Sequence, residues 1–304
     1  MPQAPLSNPP GWKERFTGTL KAVPAVGFLF VTLIAFNLAQ TASLVLLPFS
    51  RRAFRAFNRW AADLWWGWCV SLARVLHGTR IEVSGDAVPD RENALVLSNH
   101  QQMPDITFLM FLARSKRRLG DMKWFVKDII KYAPGVGWGM LFLDCPFIKR
   151  NWAADRESIT RTFSRLVKGR VPVWLILFPE GTRITPEKVS KSHDFARSRG
   201  LKPHQHLLLP RTKGFAASVQ GLRSYLDAVY DITIGYPTGV PTLWQYSRGY
   251  AKVAHIHVRR YPVDDMPTEN DELSKWLIER FGEKDQLLEG FYRTGSFTSA
   301  ARGR

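Results

Sequence analysis

Two cysteines, Cys69 and Cys145, are all that 304 residues contain. A disulfide framework is thereby excluded, and a reducing compartment is the expectation. Acidic residues are also scarce. Against 43 Lys and Arg stand 26 Asp and Glu, a formal net charge of +17. A surplus of that size calls for an anionic partner: nucleic acid, an acidic membrane surface or a phosphorylated substrate. Helix-turn-helix, zinc-finger and RNP patterns are missing, and much of the positive charge surrounds an apolar N-terminus, so nucleic acid is not expected as the partner. A Gly-x-Ser-x-Gly elbow is also missing. Between Ala22 and Ser50 there is no charge of either sign.

That uncharged run is the first positive feature. Pro24 and Pro48 bracket Ala25–Leu47, which as a helix is about 34 Å long against the roughly 30 Å of a hydrocarbon core. Asn37, Gln40, Thr41 and Ser43 interrupt its apolar character. A second segment, Trp60–Leu76, carries Trp60, Trp65, Trp66 and Trp68 behind Arg51, Arg52, Arg55 and Arg59, a composition suited to the headgroup level of an anionic membrane. Lys13, Arg15 and Lys21 precede the apolar run, so cations flank it on both sides. Cations on both sides predict a helical hairpin over 22–78 that dips into one leaflet with both ends cytoplasmic, rather than a single crossing. Residues 1–21 read as a disordered tail, with Pro2, Pro5, Pro9 and Pro10 in polar company.

After Gly78 short apolar segments alternate with helical patterns. Strands are predicted over 79–84, 94–98, 123–126, 141–148, 173–178, 206–209, 231–236 and 253–259. Helices are predicted over 106–113, 153–168, 216–227, 272–281 and 284–292. Trp174-Leu175-Ile176-Leu177 is continuously apolar, as in a strand covered on both faces. The class is therefore α/β, a mixed sheet flanked by helices, with the N-terminal apolar helices as a membrane anchor. The domain is expected over 79–265 and a C-terminal helical extension and tail over 266–304. The polar stretch 185–202 reads as a surface loop.

Four strand ends carry chemistry. The strand at 94–98 runs into Asn99-His100, and Asp105 follows five positions on, just before an apolar helix. A turn through Pro104 that returns Asp105 to the imidazole fixes its tautomer and leaves the other nitrogen as a base. Phe178-Pro179-Glu180-Gly181-Thr182-Arg183 follows the most apolar strand and sets a Gly turn, an acid and an arginine at the sheet edge, where α/β sites gather. Phe147-Ile148-Lys149-Arg150 and Leu209-Pro210-Arg211-Thr212-Lys213-Gly214-Phe215 place further cations at turns. His204/His206 and His255/His257 are spaced i, i+2, yet no acid-rich cluster accompanies them, and no metal site is expected.

Together and in this order, the four segments resemble the motifs of the glycerophosphate/lysophospholipid acyltransferase family, over roughly residues 80–265. His100 and Asp105 look like its first motif, Phe147–Arg150 its second, Phe178–Arg183 its third and Leu209-Pro210 its fourth. Leu209–Phe215, Asp231–Pro237 and His257–Pro262 resemble the branch of 1-acylglycerol-3-phosphate acyltransferases. The resemblance implies catalysis by His100 with Asp105, and substrate binding by Lys149, Arg150, Glu180, Gly181, Thr182 and Arg183. It implies no cofactor. The acyl donor is a thioester of CoA or acyl carrier protein, and the acceptor is a lysophospholipid, with lysophosphatidic acid expected first and lysophosphatidylglycerol second. A non-catalytic basic scaffold on the membrane is the reading from another class. The expected location is a membrane, the cell membrane if the source is bacterial, with the site on the cytoplasmic side.

Overall fold

A computed structural model describes residues 3–9, 11–149 and 151–297. Its centre is a six-stranded sheet in the order β1 (Arg80–Gly85), β8 (Val253–Pro262), β7 (Ala228–Gly235), β2 (Ala94–Ser98), β6 (Trp174–Leu177) and β3 (Met122–Trp124). The strands β7, β2, β6 and β3 run parallel, while β8 pairs antiparallel with β7 and carries β1 alongside it. β2 lies between β6 and β7, and every one of its residues is buried. Alternation along the strand divides them between two cores. Ala94 and Val96 meet Trp66 and Val70 of α2 (Arg51–His77) and Phe108 and Leu112 of α3 (Pro104–Ser115). Leu95 and Leu97 meet the opposite layer. There Phe163 comes from α5 (Trp152–Lys168), Val219 from α7 (Thr212–Leu222) and Leu277 from α9 (Asn270–Thr294).

Several expectations need correction. The strand expected over 206–209 does not form. Its backbone N–H groups find side-chain acceptors instead of a neighbouring strand: Gln205 and His206 donate to Asp285, Leu208 to Glu180 and Leu209 to Ser192. The stretch 141–148 divides into the end of α4 (Val136–Phe142) and a two-residue β5 (Phe147–Ile148) paired with β4 (Val126–Lys127) outside the main sheet. Residues 185–202, expected as a loop, hold α6 (Pro186–Ser198). Thr185 caps it, Pro186 starts it, and only Val189 and Ala196 are buried, too few to leave a period in the sequence. The two C-terminal helices are one. Leu273, Leu277, Phe281, Lys284, Leu288 and Phe291 form its buried face, and that burial outweighs the roughly 1 kcal/mol cost of Gly282. α9 is thus part of the core rather than an extension beyond residue 265.

The described residues of the expected N-terminal tail, 3–9 and 11–21, are not free either. Leu6 N–H donates to the Val240 carbonyl and Val240 N–H to that of Ala4. α1 spans Trp12–Ala42, so the helix begins ten residues before the uncharged run. α1 and α2 form an antiparallel hairpin, with Phe28 and Phe36 against Trp68, Trp65 at the Leu29 carbonyl, and Asn58 at Ser43. α1 is inverted relative to a soluble helix. Gly18, Ala22, Asn37 and Gln40 are its buried residues, while Phe30, Val31, Ile34 and Leu38 are exposed. Of the polar residues that interrupt the apolar run, Asn37, Gln40 and Ser43 are turned inward and bonded, with Asn37 Nδ2 donating to Gln40 Oε1 at 3.2 Å, while Thr41 is exposed. α2 joins the hairpin to the domain. Asp63 accepts from Gly120 N–H, Arg59 pairs with Asp121, and a Cβ at residue 120 would stand 2.6 Å from the Arg59 carbonyl oxygen.

α9 is fixed to the sheet by one charged pair. Lys284 Nζ lies 2.7 Å from Asp231 Oδ1 on β7, with both side chains essentially without solvent contact. The same ammonium donates to the Ile232 carbonyl, so it ties α9 to both the side chain and the backbone of β7. Burial lowers the Lys284 pKa, and Asp231 opposes that shift. Lys284→Ala leaves a buried carboxylate unpaired, at a cost of about 3–5 kcal/mol. The thermal midpoint of the detergent-solubilised protein should fall by roughly 10 °C at about 2–4 °C per kcal/mol. The double variant Lys284→Met/Asp231→Leu, which removes both charges, should lose much less.

Candidate functional site

β2 ends at Ser98, and the residues after it are held as firmly as the strand. Asn99 donates to the Ile234 carbonyl at 3.0 Å and accepts from Ile234 N–H at 2.8 Å, which extends the β2–β7 ladder through a side chain. His100 is thereby fixed at the carboxyl edge of the sheet. The turn Gln101–Met103 leads into α3, whose first residue, Pro104, loses no helical hydrogen bond by lacking an N–H. Asp105, one residue later, is completely buried. Its Oδ2 lies 2.9 Å from His100 Nδ1 and accepts Gln102 N–H at 2.8 Å, while Oδ1 accepts the Tyr236 hydroxyl at 2.5 Å. Since Oδ2 is an acceptor, His100 Nδ1 carries the proton and Nε2 presents its lone pair. The imidazole stacks on Phe178 with centroids 4.1 Å apart, and Trp124 stacks behind Phe178.

The segment after β6 reaches this point from the neighbouring strand. Glu180 is buried, with its carboxylate turned inward: Oε1 accepts His100 N–H at 2.7 Å and Oε2 accepts Leu208 N–H at 3.0 Å. Burial pushes its pKa up to about 8, and the two backbone donors oppose the shift. Both oxygens are thus engaged in joining the strand end to the 205–209 segment, so Glu180 orders the edge on which Gly181 and Arg183 stand. Gly181 follows with φ +70°, where a Cβ would be strained and would stand 3.1 Å from Arg211 Nε. Arg183 is exposed and donates to Gln102 Oε1 at 2.9 Å, and Ile184 N–H donates to the His100 carbonyl. Thr182 accepts from Lys188 Nζ at 2.8 Å, and the same ammonium reaches the Arg183 carbonyl.

The fold thus gathers His100, Asp105, Gly181, Thr182 and Arg183 at one sheet edge. Lys149 is exposed at the end of β5, outside the main sheet; among the described residues no contact joins its side chain to His100 or Arg183. Arg150 lies outside the described residues. Three participants were not singled out from sequence. Tyr236 follows β7 and meets Asp105 across the sheet, a contact that gives no local signal. Lys188 sits in a helix read as loop. Arg211 lay within a motif already noted, and its guanidinium over Gly181 makes it the second arginine of this edge. His206 pairs with Glu289 and His257 with Ser84, and no group of three or more His, Cys, Asp or Glu among the described residues is placed to hold a metal.

Comparison with known proteins bears on this geometry. A family model described as Acyltransferase matches residues 80–236, and one described as Acyltransferase C-terminus matches residues 247–303. 1-Acyl-sn-glycerol-3-phosphate acyltransferase 2 of Brassica napus is 33% identical over 282 residues, covering 90% of this chain and 72% of its own length. Lysocardiolipin acyltransferase 1 of Gallus gallus is 33% identical over 248 residues, covering 79% of this chain and 66% of its own. The crystal structure of the 1-acyl-sn-glycerophosphate (LPA) acyltransferase PlsC from Thermotoga maritima shares the fold at a TM-score of 0.52 and 16% identity, over 90% of this chain and 98% of that one. The motifs read from sequence therefore sit inside a matched family domain, and the chain belongs to the glycerophosphate/lysophospholipid acyltransferases, on the 1-acylglycerol-3-phosphate acyltransferase branch.

Proposed function

We propose that this enzyme transfers a fatty acyl group from a CoA or acyl carrier protein thioester to the sn-2 hydroxyl of lysophosphatidic acid, giving phosphatidic acid, with His100 as general base. The observation that carries the reading is His100 Nδ1 held on buried Asp105 beside the Gly181 turn and its arginines. Nε2 takes the hydroxyl proton as the oxygen attacks the thioester carbonyl. The carbon–sulfur bond then breaks, and the thiolate leaves with the proton from the imidazolium. Asp105 stabilises that imidazolium, Tyr236 holds Asp105, and Phe178 shields one imidazole face from water. Arg183 and Arg211 flank the Gly181 turn and suit a phosphate, which each arginine can meet with paired N–H donors. A lysolipid acceptor resides in a membrane, and the inverted α1, with its exposed apolar face, supplies a membrane anchor at the same molecule.

A phosphodiester acceptor is the second reading, favoured by the similarity to a lysocardiolipin acyltransferase. The two differ in headgroup charge, close to two for a phosphate monoester at neutral pH and one for a diester.

His100→Ala should abolish transfer of labelled acyl groups while the protein stays folded, and Asp105→Asn should lower kcat by about 10²–10⁴-fold, as for other His–carboxylate pairs. Turnover by His100→Ala at the wild-type rate rejects the mechanism.

In a panel of lysolipids, Arg183→Lys should raise KM for lysophosphatidic acid more than KM for the acyl donor, since an ammonium cannot replace the arginine fork. A wild-type preference for lysophosphatidylglycerol would move the assignment to the diester.

Tyr236→Phe keeps the ring against Phe108 and removes only the hydroxyl on Asp105. kcat should drop by about 10-fold, the scale of one hydrogen bond to a charged group, with KM little changed. In an Asp105→Asn background the same substitution should cost little further. An equal loss in both backgrounds would show that Tyr236 does not act through Asp105.

A further inference from the structure

The chain between β4 and β5 presents a row of large apolar side chains to solvent: Ile129 and Tyr132 each 68% exposed, Val136 and Leu141 each 51%. No fold requirement explains them. The one-turn helix Asp128–Tyr132 has no buried residue, and α4 buries only Gly137. The segment is nevertheless fixed in place. Gly135 N–H donates to Asn37 Oδ1 at 2.8 Å, and Gly135 packs on Leu33. Asn37 is one of the inward-turned polar residues of α1 and lies near the middle of its apolar run. Gly139 faces Asn37 and Gln40, one turn further along, and Phe142 meets Phe54 of α2 edge-on.

We infer that residues 129–141 are a second lipid-facing element, which enters the acyl-chain and glycerol region of an anionic bilayer beside α1. The inference rests on the membrane reading of α1 and deepens it. Three observations commit the face to lipid. It is fastened to the inward side of α1 through the Asn37–Gly135 and Leu33–Gly135 contacts near the middle of the apolar run, so the two elements share one depth. Cations stand at its margins: Lys127 is exposed at its start, and Arg51 and Arg52 are exposed at the hairpin turn, while Lys131 within it lies 5.0 Å from the Tyr132 ring and is paired with Asp128 at 2.8 Å. An aromatic with a cation at the edge of an aliphatic patch is the composition of a membrane interface. Finally, the segment begins five residues after Trp124, the last residue of β3, whose ring stacks on Phe178 and through it on His100. An element embedded there holds the mouth of the site against the lipid from which a lysolipid acceptor must come.

The test uses the full chain with Cys69 replaced by Ser and one new cysteine carrying an environment-sensitive fluorophore: Ile129→Cys, Leu141→Cys, Val31→Cys on α1, or Glu187→Cys on α6. All four positions are exposed, so folding is preserved, and Cys145 is buried from the reagent. Each labelled protein is bound to vesicles of phosphatidylcholine and phosphatidylglycerol. Quenching by doxyl-labelled phosphatidylcholine is compared with quenching by aqueous iodide. The inference expects labels at 129 and 141 to lose most of their fluorescence to the doxyl lipid, as at 31, and to resist iodide, unlike 187. Iodide quenching at 129 and 141 while 31 remains in lipid overturns it. Protection of 129 and 141 from both quenchers also overturns it and indicates cover by a second protein copy. Iodide quenching at 31 as well would instead reject the membrane reading of α1 on which the inference rests.

Discussion

A carboxylate with no solvent contact has to be surrounded by donors, and Asp105 has three: the imidazole N–H of His100, the backbone N–H of Gln102 and the hydroxyl of Tyr236. Much of the site follows from that requirement. The turn 101–103 must be tight enough to bring Gln102 onto the carboxylate. α3 must start at Pro104 so that Asp105 points back toward the strand it came from. β7 must stand beside β2 in a register that carries Tyr236 past the strand end, and Asn99 holds that register by bonding both polar groups of Ile234. The His100–Asp105 pair is therefore a product of the sheet as much as of its own short motif.

Glu180 plays the corresponding part on the other side of β2. A single carboxylate joins the backbone of His100 to that of Leu208, and so ties the end of β2 to a segment that has no strand partner. Its position in a sequence beside Gly181 and Arg183 suggests a ligand, yet its geometry is that of a clasp. The groups left facing outward are cations: Arg183, Arg211 and Lys188 gather around a glycine whose missing side chain lets the Arg211 guanidinium lie close to the backbone. This arrangement, acids buried as supports and basic residues displayed around the turn, agrees with a protein in which basic residues far outnumber acidic ones.

The N-terminal hairpin follows opposite rules from the rest of the chain. In the domain, apolar residues point inward and polar ones outward; in α1, Asn37 and Gln40 point inward and Phe30, Val31 and Leu38 outward. The inversion is economical in water only if something apolar covers the outside. Along α2, Trp68 packs on Phe28 and Phe36 of α1, Trp66 belongs to the core of the domain, and Trp65 touches both, which places it where two different surroundings meet.

The strands β2 and β6, the His100–Asp105 pairing, the arginine turn and the uncharged helix were legible because each depends on local periodicity or on residues a few positions apart. So was the family, whose motifs are short and ordered. The strand expected over 206–209 fails for a reason invisible locally: Asp285, Glu180 and Ser192, all distant in sequence, take its backbone donors. α6 left no mark because only two of its residues are buried. The sequence by itself determined the His100–Asp105 spacing, the glycine–arginine turn after β6 and that the N-terminus is apolar. Only the tertiary structure decided that Glu180 faces inward, that Tyr236 completes the hold on Asp105, and that Asn37 supports residues 129–141 beside α1. Each of these is a contact across tens to hundreds of residues, and its cost or gain comes from burial, which one stretch of chain cannot provide for itself.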